Sequence, residues 1–476
     1  MRKVFKNCYE MDERCYSEYG LTEDILMEHA AEGIESYIAY NLPEASSILI
    51  ICGPGNNGAD GIALARQMQF AFTSVKLHIP FGTKSKMAEL QLKRVKKLDY
   101  IAIVDEVCDA DVIVDALFGA GLDRELDEKS QDLIDIINDL NGFKIACDIP
   151  TGINETGQVQ SVAFCADTTI TMGARKECLY SDAAKEMVGE IVRIDLGLRY
   201  NYYTKDIPLS TFLLFKEDIE IPSRDLTKAT HKGSFGHAVV FCGEKEGAAV
   251  IAAEAASRFG AGLTTLISHE NISPPAHLMN ATELPYSTTA MAIGMGLGGF
   301  LDSDFLQKRV VDSHLPIVLD ADGFYEAQLL EILEQKDREI VLTPHPREFT
   351  VLWRAVYGEE ISTEDVQSDR FGMVRAFGKT YPHITLLLKG ANMLISQNNR
   401  ILINPYGTTK LSKGGSGDVL SGLIVALLAQ GHSGIDAAIQ GSLALTQAAE
   451  NYGGASYSML PQDIICEVTK LEHMSI

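Results

Sequence analysis

A chain of 476 residues is longer than one typical domain, so two domains are expected. Apolar residues make up 46 %, ample for large cores, and a formal charge of −24 argues against nucleic acid as a partner, because neutralising its phosphates needs clustered Lys and Arg. The same acidity leaves room for a phosphorylated small molecule, which needs only local backbone donors. The nine cysteines (Cys8, Cys15, Cys52, Cys108, Cys147, Cys165, Cys178, Cys242, Cys466) stand singly, without a C-x-x-C pair. That argues against a disulfide framework or a Cys-rich zinc site. Cys52, Cys147 and Cys242 end apolar runs and are expected to be small core fillers. The basic start MRKVFK has no apolar stretch behind it, and VLSGLIVALLA at 419–429 is too short to span a bilayer. A cytoplasmic protein with no membrane partner is therefore expected.

Short apolar runs alternate with longer helical patterns, the mark of a parallel sheet covered by helices, so the class is α/β. The first half opens with a helix over 21–41, where Leu21, Ile25, Leu26, Ala30 and Ile34 share one face. Strands follow at 47–52, 75–80, 112–118, 144–149 and 190–197, most of them ending in a Gly- or Pro-containing loop. In such sheets the ligand crevice lies outside the carboxyl ends of the strands. A polar, aromatic stretch around Tyr200, Tyr202 and Tyr203 separates the halves, and the boundary is placed within 205–220, giving domains 1–210 and 211–476. The second half shows strands at 237–242, 263–268, 316–321, 338–343 and 384–389, then a hairpin over 392–405 with a polar tip.

Within CGPGNNGADG (52–61), Gly53 to Gly58 form a G-x-G-x-x-G after a strand and before the helical pattern GIALARQM (61–68). That context suits anion binding by helix-start N–H groups. A dehydrogenase would also place an acidic residue at the end of the second strand to hold the ribose, and here that strand ends in IPFGTK. The loop is polar, with Asn56, Asn57 and Asp60 between glycines; the plainer alternative is that Asn and Gly only supply positive-φ turn positions. Asp115 in VDALFGAGLDRE, with Asp148 and Thr151 in CDIPTG, falls at strand ends on the same edge. Such oxygens can build a hard-cation site, serve as a general acid or base, or simply cap helices.

These residues carry a resemblance. MEHAAEGI (27–34), GPGNNGADG (53–61), DALFGAGLDRE (115–125), DIPTGIN (148–154), ADTTITMGARK (166–176) and GEIVRIDLGL make the first half similar to the NAD(P)H-hydrate epimerase family, the YjeF N-terminal domain. The resemblance implies a Rossmann-like three-layer domain. It implies substrate contacts at Asn56, Asn57, Gly58, Ala59 and Asp60, at Gly119, Ala120, Gly121, Leu122, Asp123, Arg124 and Glu125, and at Asp148. It also implies potassium bound by Asn57, Asp115 and the Thr151 hydroxyl. The sequence departs from the expected pattern at His29 (Asn expected), Ala59 (Gly) and Thr151 (Ser). Thr151 keeps the hydroxyl, whereas Ala59 adds a Cβ where backbone is expected to approach ligand.

In the second half, SKGGSGDVLSG (412–422) precedes an apolar helix. Gly414, Gly415 and Gly417 free the backbone to wrap an anion at the helix N-terminus. Asp418 could merely complement the helix dipole, or could act as a base activating a hydroxyl towards a phosphoryl group. No Walker lysine accompanies it, so this is not a P-loop ATPase. GMGLGG (294–299) offers a second close-approach backbone, LTPHPREF (342–349) holds His345 between prolines, and LLLKGANM (386–393) ends a strand in Lys389-Gly390. Asp320 and Asp322 in VLDADGF could orient metal-bound water or cap the next helix.

With KGSFGHAVVFCGE and GAAVIAAEAASRFGAGLTTL, these pieces resemble, over about 232–450, the ribokinase-like ADP-dependent NAD(P)H-hydrate dehydratase family. The resemblance implies hydrate contacts at Ala248, Gly298, His345 and Asp418. It implies adenine-nucleotide contacts at Lys389, Gly390, Ala391, Asn392, Met393 and Gly417, with Pro expected where Met295 stands. Together the two resemblances imply one repair function. The first domain interconverts the R and S forms of NAD(P)H hydrate, with Asp148 handling protons. The second dehydrates the S form with Asp418 as base, Mg2+, and ADP as co-substrate, giving AMP and phosphate. The partners expected are small molecules, in a homo-oligomer. Two rivals stand beside this. A ribokinase-like small-molecule kinase would leave a stable phosphoester, and a nucleotide-sensing scaffold would bind without turnover.

Overall fold

A computed structural model describes residues 1–68, 72–119, 121, 125–224, 227–298 and 303–471. The chain forms two compact units, Lys3–Leu209 and Ser210–Ile476, the second also taking in Met1–Arg2.

The strands of the first unit are β1 (Arg2–Phe5), β2 (Ser47–Cys52), β3 (Ser74–His78), β4 (Ile101–Val104), β5 (Val112–Ala116), β6 (Phe143–Cys147), β7 (Thr168–Met172), β8 (Arg175–Lys176) and β9 (Glu190–Ile194). Seven of them form a sheet in the order β4-β3-β2-β5-β6-β7-β9, every neighbouring pair parallel. β1 pairs with β8, Val4 opposite Arg175 and Phe5 opposite Lys176. The strands read as unbroken apolar runs because both faces are covered. Ile48, Ile50 and Cys52 of β2 enter a core with Ile34, Ile38 and Ile62, while Leu49 and Ile51 enter another with Ile134 and Ile137. Helices Glu23–Asn41 and Asn56–Gln67 close the first core, and Glu128–Asp139 the second. This is the expected three-layer arrangement. The strand order departs in both directions from β2, so the crevice opens beyond the carboxyl ends of β2 and β5.

The second unit carries β10 (Thr211–Leu213), β11 (His237–Phe241), β12 (Leu263–Ile267), β13 (Met279–Ala281), β14 (Ala290–Ile293), β15 (Ile317–Leu319), β16 (Ile340–Leu342), β17 (Thr385–Leu388), β18 (Met393–Gln397) and β19 (Arg400–Asn404). Their order is β13-β12-β11-β14-β15-β16-β17-β18-β19-β10, parallel except where β18 joins β17 and β19. The expected hairpin turns on Asn398 and Asn399, both at positive φ (50° and 60°). Helix Ser416–Ala429 is buried at every residue from Val419 on and packs between Glu246–Arg258 and Gly434–Asn451. It is a core helix. Among the described residues no helix is long and apolar enough to cross a membrane.

Candidate active sites

The carboxyl ends of β2, β5 and β6 open into a cleft of ≈ 850 Å³ in the first unit. The helix expected from residue 61 begins at Asn56, so Asn56, Asn57 and Asp60 occupy its first turns, behind Gly55 at the N-cap. Neither Asn nor any glycine from 53 to 61 has positive φ, which sets aside the turn-only explanation. Gly53 is there for close approach: a Cβ on it would lie 1.7 Å from the Leu117 carbonyl oxygen. Gly58 is buried against Gly53, and Ala59 points into the core beside Cys52 and Ala63. Neither lines the cleft, so the Cβ of Ala59 does not meet a ligand there. Asn56, Asn57, Asp60, Gly119, Gly121, Glu125 and Asp148 do line it. Ala120, Leu122, Asp123 and Arg124 lie outside the described residues.

Asp148 follows β6 at φ 71°, a conformation strained for a residue with a side chain. Its Oδ1 is held by the Lys176 ammonium at 2.5 Å, the Met172 N–H at 3.0 Å and the Thr171 hydroxyl at 3.2 Å. Lys176 was not singled out in the sequence, although it closes the stretch ADTTITMGARK. Burial works against its charge, but the Asp148 carboxylate, together with Cys8 and Cys178, more than offsets that and holds its pKa above the ordinary lysine value. Asp60 is pushed far up, first by burial, then by the charges of Asp148, Asp12 and Glu23. The cleft floor is thus rich in carboxyl groups, one of them locked to a lysine.

Beside it lies an all-oxygen cluster. Asp115 is fully buried and accepts from the Thr151 N–H (2.8 Å), the Thr151 hydroxyl (2.8 Å) and the Leu117 N–H (3.0 Å). Burial pushes its carboxyl up to about 6, partly countered by those donors. Among the described residues it has no ion-pair partner. The Asn57 side-chain nitrogen is buried with no hydrogen-bond partner, and the Thr151 hydroxyl also lies 3.1 Å from the Phe118 carbonyl. A buried carboxylate without a countercharge, next to amide, hydroxyl and carbonyl oxygens, fits a monovalent hard cation.

The second site gathers the carboxyl ends of β14, β15, β16 and β17 beneath the start of helix Ser416–Ala429. Asp320, after β15, is 2 % exposed. It accepts from the Lys389 ammonium (2.6 Å), the Ser421 hydroxyl (2.7 Å) and the Ala321 N–H (2.9 Å). Asp322 caps a loop, taking the Gly298 N–H at 2.9 Å. His345 starts helix Pro346–Tyr357 in a reciprocal cap with Glu348, whose carboxylate lies 4.0 Å from Lys389. Burial, with the nearby Lys389 charge, lowers the His345 pKa, and burial pushes Glu348 up to about 7. A Cβ on Gly296 of the Gly-rich loop would lie 3.0 Å from the Ala248 Cβ. The buried Arg370 guanidinium grips the carbonyls of Leu388, Lys389 and Asn392, fixing the turn that carries Gly390 and Ala391. Met393 points into the core, so its side chain is not available to a ligand.

Gly415, the N-cap of Ser416–Ala429, stands at φ 96° and turns the chain so that the helix start faces the site. Gly417 leaves room for Lys389, whose ammonium would be 3.2 Å from a Cβ there. Asp418 lies in the first turn of this helix, and among the described residues no hydrogen bond to its carboxyl group is found. Its carboxyl is pushed up to about 6, by burial first and the Asp320 charge next, with Lys389 opposing. A half-buried acid of that strength, free of structural hydrogen bonds, suits a general base.

Two family models match the chain: "YjeF-related protein N-terminus" over residues 23–178 and "NAD(P)H-hydrate dehydratase" over 238–470. The bifunctional NAD(P)H-hydrate repair enzyme of Helicobacter pylori is 37 % identical, covering 99 % of this chain and 100 % of its own. The chain belongs to the bifunctional NAD(P)H-hydrate repair enzyme family. The Coxiella burnetii member of the family is 34 % identical over 93 % of each chain. A Bacillus subtilis ADP/ATP-dependent NAD(P)H-hydrate dehydratase, solved with ATP and Mg2+, is 23 % identical with TM-score 0.46, covering 54 % of this chain and 94 % of its own. The family match spans both sites described above.

Proposed function

We propose that the first unit epimerises the R and S forms of hydrated NADH or NADPH, and that the second dehydrates the S form with ADP, giving NAD(P)H, AMP and phosphate. The observation that carries this reading is the pairing, in one chain that matches the family end to end, of two sites each holding a carboxyl group with an oxygen free of hydrogen bonds among the described residues. In the first, Asp148 leaves Oδ2 towards the cleft while Oδ1 is anchored, the arrangement of a proton-handling group. Asn57, Asp115 and Thr151 would hold potassium, which supplies the fixed positive charge that Asp115 lacks. The start of helix Asn56–Gln67 offers N–H groups for the substrate's phosphates.

In the second site, Asp418 takes the proton of the hydrate's ring hydroxyl. The oxygen attacks the β-phosphorus of ADP and AMP leaves. The phosphorylated adduct then expels phosphate with the carbon–oxygen electron pair, the adjacent ring carbon gives up a proton, and the double bond of the reduced ring is restored. Lys389 and Gly417 sit where the nucleotide's phosphates would meet the helix start, and Gly298 and His345 border the hydrate. Among the described residues no three His, Cys, Asp or Glu side chains cluster as a metal cage. Magnesium would therefore enter mainly on the phosphates, offsetting their charge.

The test is incubation of the purified chain with mixed hydrates, ADP and magnesium. Both epimers should return to reduced nucleotide, read as recovered absorbance. A stable phosphoester without reduced nicotinamide would assign a small-molecule kinase instead, and binding without turnover a sensor.

A further inference from the structure

Inverting the hydroxyl-bearing carbon beside the ring nitrogen needs proton traffic on both faces of the ring. One hydroxyl must leave as water from one face, and a second water must lose a proton as it bonds to the other. Asp148 accounts for one face only. The cleft holds a second carboxyl group anchored in the same manner. Asp12, on helix Tyr9–Ser17, lines the cleft, and its Oδ1 accepts from the Tyr203 hydroxyl at 2.7 Å. No other hydrogen bond to Asp12 is found among the described residues, so Oδ2 is open, as it is in Asp148.

Several features exist to hold that hydroxyl in place. Tyr203 is 2 % exposed, and burial drives its pKa up, so it stays a donor. A Cβ on Gly173 would come within 2.5 Å of the Tyr203 hydroxyl, so glycine is what admits the ring. Arg14, on the helix of Asp12, donates to the carbonyls of Tyr203, Lys205 and Tyr202, tying that helix to the segment carrying the tyrosine. Asp12 and Asp148 both line the cleft but come from different elements, Asp12 from helix Tyr9–Ser17 and Asp148 from the carboxyl end of β6. They are near enough that the charge of Asp148 acts on Asp12.

We infer that Asp12 is the second acid–base residue of the epimerase cleft, acting opposite Asp148, and that Tyr203 is its positioning residue; this rests on the epimerase reading above. In one direction Asp12 gives its proton to the departing hydroxyl. The carbon–oxygen bond breaks with its electron pair leaving on water, and the ring-nitrogen lone pair fills the vacancy. A second water then bonds to the opposite face, its proton passing to Asp148. The reverse direction exchanges the two roles. The carboxyl states suit this. Burial raises Asp12, and Asp148 adds to the rise, while Tyr203 and Lys176 act against it. The other titratable groups that feel Asp12 are Cys8, Cys15, Tyr16 and Asp60. None of them donates to its carboxylate.

The experiment uses the full chain and pure R hydrate without ADP, separating epimers by chromatography in H2(18)O. The wild type should convert R to S with one solvent oxygen gained per inversion; failure of the wild type would sink the epimerase reading itself. Asp12→Asn, which keeps an acceptor for Tyr203, should slow conversion by about 100-fold or more. NADPH binding and the dehydration of supplied S hydrate should stay unchanged. Tyr203→Phe keeps the packing against Gly173 and should move the limb of the epimerisation profile that Asp12 governs, the alkaline one where Asp12 is the acid, to higher pH, because the hydroxyl's hydrogen bond lowers the Asp12 pKa. Retention of the wild-type rate in Asp12→Asn, loss of nucleotide binding with the rate, inversion without label, or an unmoved profile in Tyr203→Phe would each overturn the inference.

Discussion

The dehydratase base can be tested through stability as well as rate. Asp418 has its carboxyl raised from 3.8 to about 6 by burial, with the Asp320 charge adding. An acid raised in this way binds its proton more tightly in the folded chain than in the unfolded one. Below a pH of about 4 it is neutral in both states and carries no penalty. Between about 4 and 6 the unfolded chain ionises first, so stability falls as pH rises. Above about 6 the loss levels off at roughly 3 kcal/mol at most, two pKa units at about 1.4 kcal/mol each. Asp418→Asn removes that ionisation. The variant should lose dehydration of the S hydrate and yet melt higher than the wild type at neutral pH, the difference vanishing near pH ~4. In parallel, the wild-type dehydration rate should halve near pH ~6 and drop about tenfold by pH ~5. Calorimetric melting across that range and absorbance recovery on S hydrate are the two assays. A variant less stable than wild type at neutral pH, or one retaining substantial turnover, would refute the assignment of a destabilised catalytic acid.

Asp148→Asn should slow recovery of the R hydrate by about 10²-fold or more and leave dehydration of supplied S hydrate unchanged, measured epimer by epimer. Potassium should raise the melting temperature of the first unit over choline chloride. Thr151→Val should erase that difference, whereas Thr151→Ser should keep it, since only the hydroxyl oxygen is needed. Gly53→Ala would place a Cβ 1.7 Å from the Leu117 oxygen and should destabilise the first unit by about 3 kcal/mol in urea unfolding.

The parallel strands and the ends that carry the sites were legible because apolar runs and Gly-rich loops are local signals. The helix Asn56–Gln67 was read five residues late, since Asn56, Asn57 and Asp60 look like loop residues until their side chains are seen to face a cleft. The short edge strands β10, β13 and β1 carry too few residues for a periodicity. What no pattern could show is pairing across distance. Lys176 meets Asp148, 28 residues away, only because β7 runs beside β6 and β8 follows directly after it. Ser421 meets Asp320, 101 residues away. Tyr203 meets Asp12 across 191 residues, and its linker looked like a boundary rather than part of a site. Glycines carry close packing as well: a Cβ on Gly53 would meet the Leu117 carbonyl, and one on Gly58 the Gly53 carbonyl.

Both sites contain a nearly buried Asp–Lys pair, Asp148–Lys176 at 2.5 Å and Asp320–Lys389 at 2.6 Å, and each uses it differently. Such pairs are weak sources of stability, because stripping water from both charges costs about as much as their attraction returns. Their value here lies in what they do to the free oxygen nearby. In the first unit the paired acid is itself the proposed proton handler. At Oδ1 Lys176 is joined by the Met172 N–H and the Thr171 hydroxyl, which leaves Oδ2 without a donor among the described residues. In the second unit the paired acid stands behind the proposed base. Lys389 neutralises much of Asp320, yet the remaining field still raises Asp418. Shortening Lys389 to Met would expose the whole Asp320 charge to Asp418 and move the acidic limb of dehydration upward. Asp320→Asn would move it downward, even though both substitutions break the same ion pair. A purely structural role for that pair predicts equal damage from either change and no movement of the limb.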